Sequence, residues 1–358
     1  MKDNGRGSSE HCGETMVQID GSYGEGGGQI VRTACSLAAV TKKPCRIINI
    51  RQGRREPGLR LQHVLGLQAL AKLCCGSLEG AEVGSGEVVL HPRQIVARNI
   101  SIKPQTAAST TLLLQTLLPA ALTTSTRLII DLQGGGTDAA FAPTLDYFRY
   151  VFLWFIRFMG ANLDLTVHRR GYYPRGGAQL TIMVEPSRLT RIALTQRGAM
   201  KRISLISQAA AILRPRRVAE RQLEGALDML GSQSVPIETV IDYGPSVSAG
   251  TSLCIVAEFE RTVIGVDNLG ARGKLAETVG REAAIAFSRE LRSTACVDRH
   301  MADQILPYLA LADDGSCVTV SEITSHCRTN MWVIEQFLDG RFEVNGNLIC
   351  WARRTGDV

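Results

Sequence analysis

The chain has 358 residues, of which 45% are hydrophobic, 21% are charged and 5% are aromatic, and its formal net charge is +6. This balance predicts a folded protein of one large or two ordinary domains and argues against disordered and fibrous classes. Because aromatic residues are scarce, a nucleic-acid site built mainly from stacked rings is less expected than one built from charge and backbone groups. The modest positive charge suits an acidic substrate without requiring one.

Residues 1–15 are polar and glycine-rich and lack the apolar core of a secretory leader, so we interpret them as a disordered tail. The ten cysteines include no CxxC pair. We therefore expect them to be reduced and mostly buried, with no structural zinc site. No apolar run approaches the ~20 residues needed to cross a bilayer. Together these features predict a cytoplasmic protein, or a nucleoplasmic one in a eukaryote.

A glycine-rich loop, GEGGGQI at residues 24–30, separates the alternating segment 16–20 from the apolar segment 31–40. The pattern predicts a strand, a loop and a helix start. Such an arrangement can seat a polyphosphate on backbone N–H groups and on the helix dipole. Three consecutive glycines are, however, equally typical of a simple tight turn.

The polar residues of this loop favour phosphate binding over a simple turn. Glu25, Gln29 and Arg32 are spaced as i, i+4 and i+7, which is one face of a helix. We expect the Glu25 carboxylate to suit a metal ion and the Arg32 guanidinium to suit phosphate oxygens, both pointing the same way.

A basic loop with Arg51 and Arg54 follows the predicted strand 44–51 and leads into the predicted helix 59–73. A solvated surface loop and a phosphate clamp are both compatible with these two arginines. Gln62 lies near the first turn of the helix and is therefore expected beside the loop.

Strands and helices alternate through the rest of the first half of the chain. Strands are predicted at residues 84–92, 97–103, 128–132, 163–168 and 178–184, and helices at residues 104–122 and 143–159. The first of these helices carries Gln115 within an apolar run, and Pro143 opens the second. A second succession of strand, glycine loop and helix, now around residues 133–138, indicates an internal structural repeat.

A basic turn at residues 169–177 contains Arg169, Arg170 and Arg175 together with two adjacent tyrosines. It is the most RNA-like local segment of the chain. A surface hairpin is an equally good interpretation of the same residues.

The sequence changes character near Pro186, where charged alternation replaces the glycine loops. Strands predicted at 203–211, 237–243 and 252–259, with helices at 218–230 and 282–291, suggest a small α/β domain. Apolar segments separated by glycines resume near Thr294. They predict a helix ending near 311, a strand at 317–323, a helix at 331–338 and two strands near 342 and 348. We therefore predict a large domain, residues 16–185 and 295–358, interrupted by an inserted small domain, residues 186–294.

Two of the six histidines, His300 and His326, lie in polar contexts where helices are expected to begin. A lone histidine is usually structural. Beside a nucleotide site, however, an imidazole can attack the α-phosphorus of a nucleoside triphosphate and pass the nucleotide onward as a reactive phosphoramidate. The residues alone leave open which histidine would do so.

Several separate motifs resemble the RNA 3'-terminal phosphate cyclase family, over residues 17–342. They are DGSYGEGGGQI at 20–30, IRQGR at 50–54, PGLRLQH at 57–63, LEGAEVGS at 78–85, GGTD at 135–138, RGYYP at 170–174 and Asp303-Gln304. The resemblance implies an α/β fold in which a large domain of repeated units, each a four-stranded sheet with two helices, is interrupted by a smaller thioredoxin-like domain.

The same resemblance implies an ATP-dependent enzyme that also needs Mg²⁺ or Mn²⁺. Such an enzyme adenylates a histidine and transfers AMP to the 3'-phosphate end of RNA. The neighbouring 2'-OH then displaces AMP and leaves a 2',3'-cyclic phosphate. RNA with a 3'-phosphate end is the implied partner, and the sequence leaves open whether the chain forms a homodimer.

The resemblance also assigns residues. The position of the family's nucleophile matches His326 rather than His300, and the metal-binding glutamate matches Glu25. The triphosphate contacts match Gln29, Arg32, Arg51, Arg54 and Gln62. The adenosine pocket matches Gln115, Pro143, Asp303 and Gln304, with His300 where the family carries an aromatic residue.

Two other interpretations compete with the cyclase. One is a non-catalytic cyclase-like protein that binds RNA during ribosome assembly and has lost the nucleophile. The presence of His326 together with Glu25 and the arginines argues against it. The other is an enolpyruvyl transferase, which shares the idea of repeated α/β units but whose substrate motifs the chain does not resemble.

Overall fold

The computed structural model describes residues 16–96 and 99–354. Within these residues the strands form four small sheets of four strands each. The predicted tail at residues 1–15 lies outside the described residues. Helices cover the sheets, so the fold is mixed α/β, and the predicted fold class is confirmed.

The strands are short, mostly with alternating buried and exposed side chains, as half-buried sheets require. In chain order they are β1 (Val17–Asp20), β2 (Cys45–Ile48), β3 (Ser77–Glu79), β4 (Val88–His91), β5 (Ile100–Ile102), β6 (Leu128–Gln133), β7 (Leu163–Arg169), β8 (Gln179–Val184), β9 (Ala193–Leu194), β10 (Met200–Ala210), β11 (Ile237–Gly244), β12 (Thr251–Phe259), β13 (Val263–Leu269), β14 (Cys317–Thr319), β15 (Gly340–Asn345) and β16 (Leu348–Arg353).

The helices present apolar faces to these sheets. They are α1 (Gly28–Thr41), α2 (Leu61–Leu73), α3 (Thr110–Ala121), α4 (Leu145–Tyr147), α5 (Leu153–Phe158), α6 (Val218–Leu230), α7 (Ala276–Arg292), α8 (Met301–Leu311) and α9 (Ser325–Glu335). A π-helical segment, Phe148–Phe152, joins α4 to α5, and a 3₁₀ helix, Ala211–Arg216, precedes α6.

Three of the sheets share one plan, with strand orders β1-β2-β4-β3, β5-β6-β8-β7 and β9-β14-β16-β15. In each of them the first two strands pair in parallel and the remaining pairs are antiparallel. The predicted internal repeat is therefore confirmed. The fourth sheet differs, because its order is β11-β10-β12-β13.

The fourth sheet lies within the third repeat, because β10 to α7 come between β9 and α8 along the chain. One face of this sheet encloses a separate core with α6 and α7, in which Leu205, Ile255 and Phe287 are fully buried. The strand β9 falls inside the predicted small domain, 186–294, yet it pairs with β14. The domain boundaries themselves stay a prediction, as does the thioredoxin-like character of the insertion.

Side-chain caps decide where three helices begin, and all three starts differ from the predicted ones. Thr144 Oγ1 accepts the N–H of Tyr147 at 3.2 Å, so α4 begins at Leu145 and Pro143 lies before the helix that it was expected to open. Ser109 Oγ accepts the N–H of Leu112 at 3.3 Å, so α3 begins at Thr110 and the predicted helical residues 104–109 are not helical. Thr324 Oγ1 accepts the N–H of Cys327 at 3.2 Å, so α9 begins at Ser325 rather than at residue 331. The first turn of α9 therefore includes the second candidate histidine.

Three strands were missing from the sequence prediction, and one of them, β9, has only two residues. β3 has only three residues, and β13 follows β12 after a short turn with four consecutive buried residues instead of an alternating pattern. Residues 97 and 98, which begin a predicted strand, lie outside the described residues, and the strand β5 starts at Ile100.

The expectation of reduced cysteines is wrong for one pair. Cys317 and Cys350 lie directly opposite each other on the antiparallel strands β14 and β16, with Cα atoms 4.2 Å apart, and their sulfurs form a disulfide. The two residues are separated by 33 positions, so only the strand register brings them together. Among the described residues the remaining cysteines are free, and all of them except Cys75 are buried.

Across residues 16–96 and 99–354, the helices are too short or too polar to span a bilayer.

Candidate active site

The glycine loop between β1 and α1 is a tight turn in which Gly24 and Gly26 both adopt φ near 59°, the left-handed region that favours glycine. α1 begins after Gly27, which has an extended backbone and offers no capping side chain. The first turn of α1 also contains no acidic residue. Its free N–H groups and the positive end of its dipole are therefore left for an anion.

His326 lies against this helix start, because α9 packs beside α1. Its Nε2 atom is 3.0 Å from Oε2 of Glu25. The same carboxylate oxygen accepts a hydrogen bond from Ser325 Oγ at 3.0 Å. The other ring nitrogen, Nδ1, is buried and has no hydrogen-bond partner among the described residues. Nε2 is therefore the nitrogen that faces the polar groups of the site.

Arg54 completes this polar group from the basic loop. Its Nη2 atom donates to Oε1 of Glu25 at 2.8 Å and to the Glu25 carbonyl oxygen at 3.1 Å. A Cβ atom added to Gly27 would lie 3.4 Å from Arg54 Nη2 and 3.6 Å from Cε1 of His326. The start of α1, the guanidinium and the imidazole therefore meet at one place.

Three contacts hold α9 in this position. Gln29 Nε2 donates to the carbonyl oxygen of His326 at 3.1 Å, and Thr33 Oγ1 donates to Asn330 Oδ1 at 3.0 Å. Outside these polar contacts, the rings of Tyr23 and Trp332 stack with centroids 4.0 Å apart. Residues from the two ends of the chain thus fix the imidazole against the glycine loop.

Burial and the surrounding charges lower the pKa of both His326 and Glu25, which favours a neutral imidazole beside an ionised carboxylate. Burial lowers the pKa of His326, as do the positive charges of Arg32 and Arg54, and this outweighs the attraction of Glu25. Partial burial opposes ionisation of Glu25, but the hydrogen bonds from Arg54 and Ser325 and the positive charge of Arg54 lower its pKa overall. A neutral imidazole beside a carboxylate and two guanidinium groups has the protonation state that a nucleophile requires.

A pocket opens between α1, α3, α8 and α9, next to this polar group. Its lining is partly polar and partly apolar, and it consists of Gln29, Arg32, Thr33, Ser36, Leu37, Gln115, Pro119, Phe152, Asp303, Gln304, Pro307, Tyr308 and Asn330. Two facing amides close one side, because Gln115 Nε2 donates to Gln304 Oε1. Residues from both ends of the chain therefore form one cavity.

Arg32 and Asp303 are the charged pair of this pocket. Burial lowers the pKa of Arg32 to about 10, against the opposing charge of Asp303. Burial likewise raises the pKa of Asp303 to about 7, against the charge of Arg32. An anionic ligand beside Arg32 would compensate the buried guanidinium for the hydration that it lost on folding. Arg32 is therefore well suited to contact a phosphate group.

Comparison with known proteins decides the family. The model of the RNA 3'-terminal phosphate cyclase family matches residues 23–344. The chain belongs to this family. It is 40% identical to the RNA 3'-terminal phosphate cyclase of Pyrococcus abyssi over 334 residues, which is 93% of this chain and 96% of that protein. The cyclases of Pyrococcus furiosus and Thermococcus onnurineus are each 42% identical, over 93% of this chain and 96% and 97% of the relatives.

Most residues that the cyclase resemblance implied for phosphate binding lie around the start of α1. Gln29, Arg32 and Arg54 are part of the group described above. Arg51 lies in the same basic loop, but its Nη1 atom donates to the carbonyl oxygens of Glu56 and Gly58, each at 2.8 Å. Gln62 lies further along, where its Oε1 atom accepts the N–H of Ser109 at 3.3 Å.

The implied adenosine residues divide into two groups. Gln115, Asp303 and Gln304 line the pocket. Pro143 and His300 are not among the lining residues, although the carbonyl oxygen of His300 accepts a hydrogen bond from Gln304 Nε2. Of the residues that the resemblance implied for adenosine binding, these two therefore lie outside the pocket lining.

Glu25 is not on the helical face that its spacing suggested, because α1 begins three residues later. It reaches the site from the turn before the helix. No group of three or more His, Cys, Asp or Glu side chains within the described ranges could hold a metal by itself. One carboxylate nevertheless fits Mg²⁺, which typically takes one or two carboxylates together with water and substrate phosphates.

Sequence reasoning missed several residues that shape the site. Ser325, Thr329 and Asn330 all lie in the polar segment before the predicted helix 331–338, and their role became visible only when that helix proved to begin at Ser325. His63 was also overlooked. It is buried, its Nδ1 atom accepts the N–H of Arg60 at 3.0 Å, and burial with three nearby arginines lowers its pKa to about 3.

Replacing Gly28 by alanine is expected to destabilise the protein, because an added Cβ would overlap the buried ring of His63. We expect the free energy of unfolding to fall by about 1–3 kcal/mol, as for other overpacked cores, despite the higher helix propensity of alanine. Chemical denaturation measures the change. Gly86→Ala is the control, because nothing lies within 4 Å of the added Cβ. Equal stability of the two variants would contradict the close packing of α1 against His63.

Proposed function

We propose that the chain converts the 3'-terminal phosphate of RNA into a 2',3'-cyclic phosphate at the expense of ATP. The observation that carries the proposal is the position of His326, whose Nε2 atom lies 3.0 Å from Glu25 beside Arg54 and the open start of α1. Membership of the cyclase family and the names of the archaeal relatives support the same activity.

The first step is adenylation of His326. Nε2 donates to the Glu25 carboxylate in the free protein, so its proton must first leave Nε2 for solvent or move to Nδ1. The lone pair of Nε2 then attacks the α-phosphorus of ATP, a P–N bond forms, and the bond to pyrophosphate breaks. Arg32 and Arg54 lie where they can neutralise the negative charge of the triphosphate, together with the N–H groups of α1. Gln115, Asp303 and Gln304 form the proposed adenosine side of the pocket.

A divalent ion held by Glu25, Mg²⁺ or Mn²⁺, would mask further phosphate charge when bound. The residues of the chain do the rest of the positioning. Arg54 fixes the Glu25 carboxylate, and Gln29 holds the backbone of His326.

Two further steps complete the reaction. An oxygen of the RNA 3'-phosphate attacks the phosphorus of the AMP group, and the P–N bond to His326 breaks. The adjacent 2'-OH then attacks the 3'-phosphorus, AMP departs, and the cyclic phosphate remains. Because the 2'-OH is already next to the phosphorus, the cyclisation gains its rate mainly from proximity.

The decisive experiment uses wild-type protein with α-labelled ATP, Mg²⁺ and RNA that ends in a 3'-phosphate. We expect a labelled protein–AMP adduct and a phosphatase-resistant RNA end. RNA with a 3'-hydroxyl is the matched control and should give the adduct without a cyclic product. Absence of both products with either metal would favour the non-catalytic RNA-binding alternative.

Adenylation should depend on pH with an acid limb below the ordinary histidine range. The folded-state pKa of His326 is lowered, so the imidazole stays neutral and nucleophilic as pH falls through about 6.5, and activity is lost only below that. Single-turnover rates of adduct formation across pH locate the midpoint. A midpoint near pH 7 or above would contradict the predicted effect of burial and of the charges of Arg32 and Arg54.

A further inference from the structure

A second groove lies between the basic turn 169–177 and the fourth sheet, away from the nucleotide pocket. On one side it is lined by residues 172–175, and on the other by residues 248–251 and 269–276, with Arg216 at its edge. We call it the Tyr173 groove. Its volume of about 990 Å³ is at the upper end of the range for ligand pockets. The proposed ATP chemistry makes no use of it.

The charge of the Tyr173 groove is strongly positive. Its lining includes four arginines and one lysine but a single carboxylate, Asp138. That carboxylate is buried and lies 3.5 Å from the guanidinium of Arg170. Arg221 and Lys274 pair with glutamates. The other three arginines are exposed and have no ion pair among residues 16–96 and 99–354, and they are Arg175, Arg216 and Arg272.

An exposed aromatic ring stands in this positive groove. Tyr173 is 78% exposed, and Leu275, which also lines the groove, is 61% exposed. A tyrosine ring in a positively charged groove is the usual combination for binding unpaired nucleic-acid bases and their backbone. Only a few aromatic residues are needed for such a site, which agrees with the composition of the chain.

The turn that carries Tyr173 is firmly anchored on both sides. Beneath it, Arg170 Nη2 donates to Asp146 Oδ1 at 2.7 Å, and both side chains are buried. Across the groove, Arg175 Nη2 donates to the carbonyl oxygen of Val247 at 2.8 Å. Arg170 is therefore structural, contrary to the RNA-contacting role expected from its charge. Anchoring leaves little conformational entropy to be lost when a ligand binds Tyr173.

A single loop links the groove to the nucleotide site. Asp138, which lines the groove, lies two residues after Gly136, whose carbonyl oxygen accepts the N–H of Thr110 at 2.9 Å. The neighbouring Ser109 donates its N–H to Gln62, which the family resemblance places among the triphosphate contacts. Hydrogen bonds therefore connect the loop that carries Asp138 with Gln62 of the proposed triphosphate site.

We propose that the Tyr173 groove binds the single-stranded RNA immediately upstream of the reacting 3'-phosphate. In this arrangement Tyr173 stacks on a base, and Arg216 and Arg272 contact backbone phosphates. The inference rests on the proposed cyclase activity for the identity of the RNA end. An acidic peptide is disfavoured, because the most exposed side chain of the groove is an aromatic ring suited to a base.

Fluorescence anisotropy with a labelled, 3'-phosphorylated single-stranded RNA, measured without ATP, tests the groove. We expect Tyr173→Ala to weaken binding about tenfold and Tyr173→Phe to retain it, since stacking needs only the ring. The double variant Arg216→Gln/Arg272→Gln should weaken binding and reduce the slope of log K against log salt by about 1.4, for two lost phosphate contacts. Tyr150→Ala and Arg127→Gln are the controls, because both residues are exposed outside the groove.

The outcomes separate this inference from the proposed function. Adenylation without RNA should be unchanged in the groove variants, and so should their thermal unfolding, because the altered side chains are exposed. If the wild type fails to form the AMP adduct while groove variants still lose RNA affinity, the proposed function fails and the groove inference stands. Unchanged RNA affinity in every groove variant would overturn the inference and leave the groove to a protein partner.

Discussion

Replacement of His326 by alanine is expected to abolish the covalent protein–AMP adduct, with a fall in the rate of adduct formation of at least about 10⁴-fold. The reason is that Nε2 of His326 is the imidazole nitrogen held at the start of α1 against Glu25 and Arg54. The side chain is 43% exposed, so its loss leaves no large cavity and the variant should fold normally. Labelled ATP and a denaturing gel measure the adduct, which should be labile in acid, as a phosphoramidate is.

The matched control is His300→Ala. His300 presents an exposed imidazole just before α8 and is not among the residues that line the nucleotide pocket. We expect this variant to form the adduct, with at most a modest decrease through weaker ATP binding. Adduct formation by His326→Ala at a rate close to the wild type would assign the nucleophile to another residue.

Glu25→Ala should be the second most damaging change, lowering the rate of adenylation by about 10²- to 10³-fold. One carboxylate here contacts Arg54, Ser325 and His326 at 2.8–3.0 Å. Its removal leaves the guanidinium and imidazole without their common partner and deletes the proposed metal ligand. Titration with Mg²⁺ and Mn²⁺ should show a higher metal concentration for half-maximal adduct formation.

Glu87→Ala is the control for this change, because Glu87 forms an exposed ion pair with Arg46 on the first sheet, with about half of each side chain open to solvent. Pairs of this kind contribute about 0–1 kcal/mol to stability, so this variant should behave as the wild type. If Glu25→Ala kept both its rate and its metal dependence, Glu25 would have no part in nucleotide or metal binding.

The repeated architecture could be predicted because its signals are local. Alternating segments predicted most of the strands, and the two successions of strand, glycine loop and helix revealed the repeat. The predicted helix 218–230 agrees with α6 at both ends. Where local signals were weak the prediction failed, as for the short strand β3 and for β13, which lacks alternation.

Helix starts were harder to predict, because a cap depends on which of several neighbouring hydroxyl groups finds a free N–H. Both Ser109 and Thr324 lie in segments rich in such residues. The Thr324 cap has the larger consequence for the active site, because it places His326 on the first turn of α9. A strand or loop conformation there would have carried the imidazole elsewhere.

Charge by itself was a poor guide to RNA contacts. Arg170 looked like part of a basic surface, yet it is buried against Asp138 and Asp146, two residues that its local sequence does not contain. Arg216 and Arg272 drew no attention in the sequence, and only the folding of distant segments places them beside Tyr173.

The sequence by itself determined the glycine loop, the succession of α/β elements and the family. Each of these depends on residues that are close together in the chain or on motifs that can be recognised as short stretches of sequence. The tertiary structure alone decided which groups share a site. Ser325 and Glu25 are 300 residues apart yet lie in hydrogen-bond contact, since the packing of α9 against α1 joins the first repeat to the third. Long-range packing of this kind leaves no local pattern, so the pairing of His326 with Glu25 and Arg54 appears only in the folded chain.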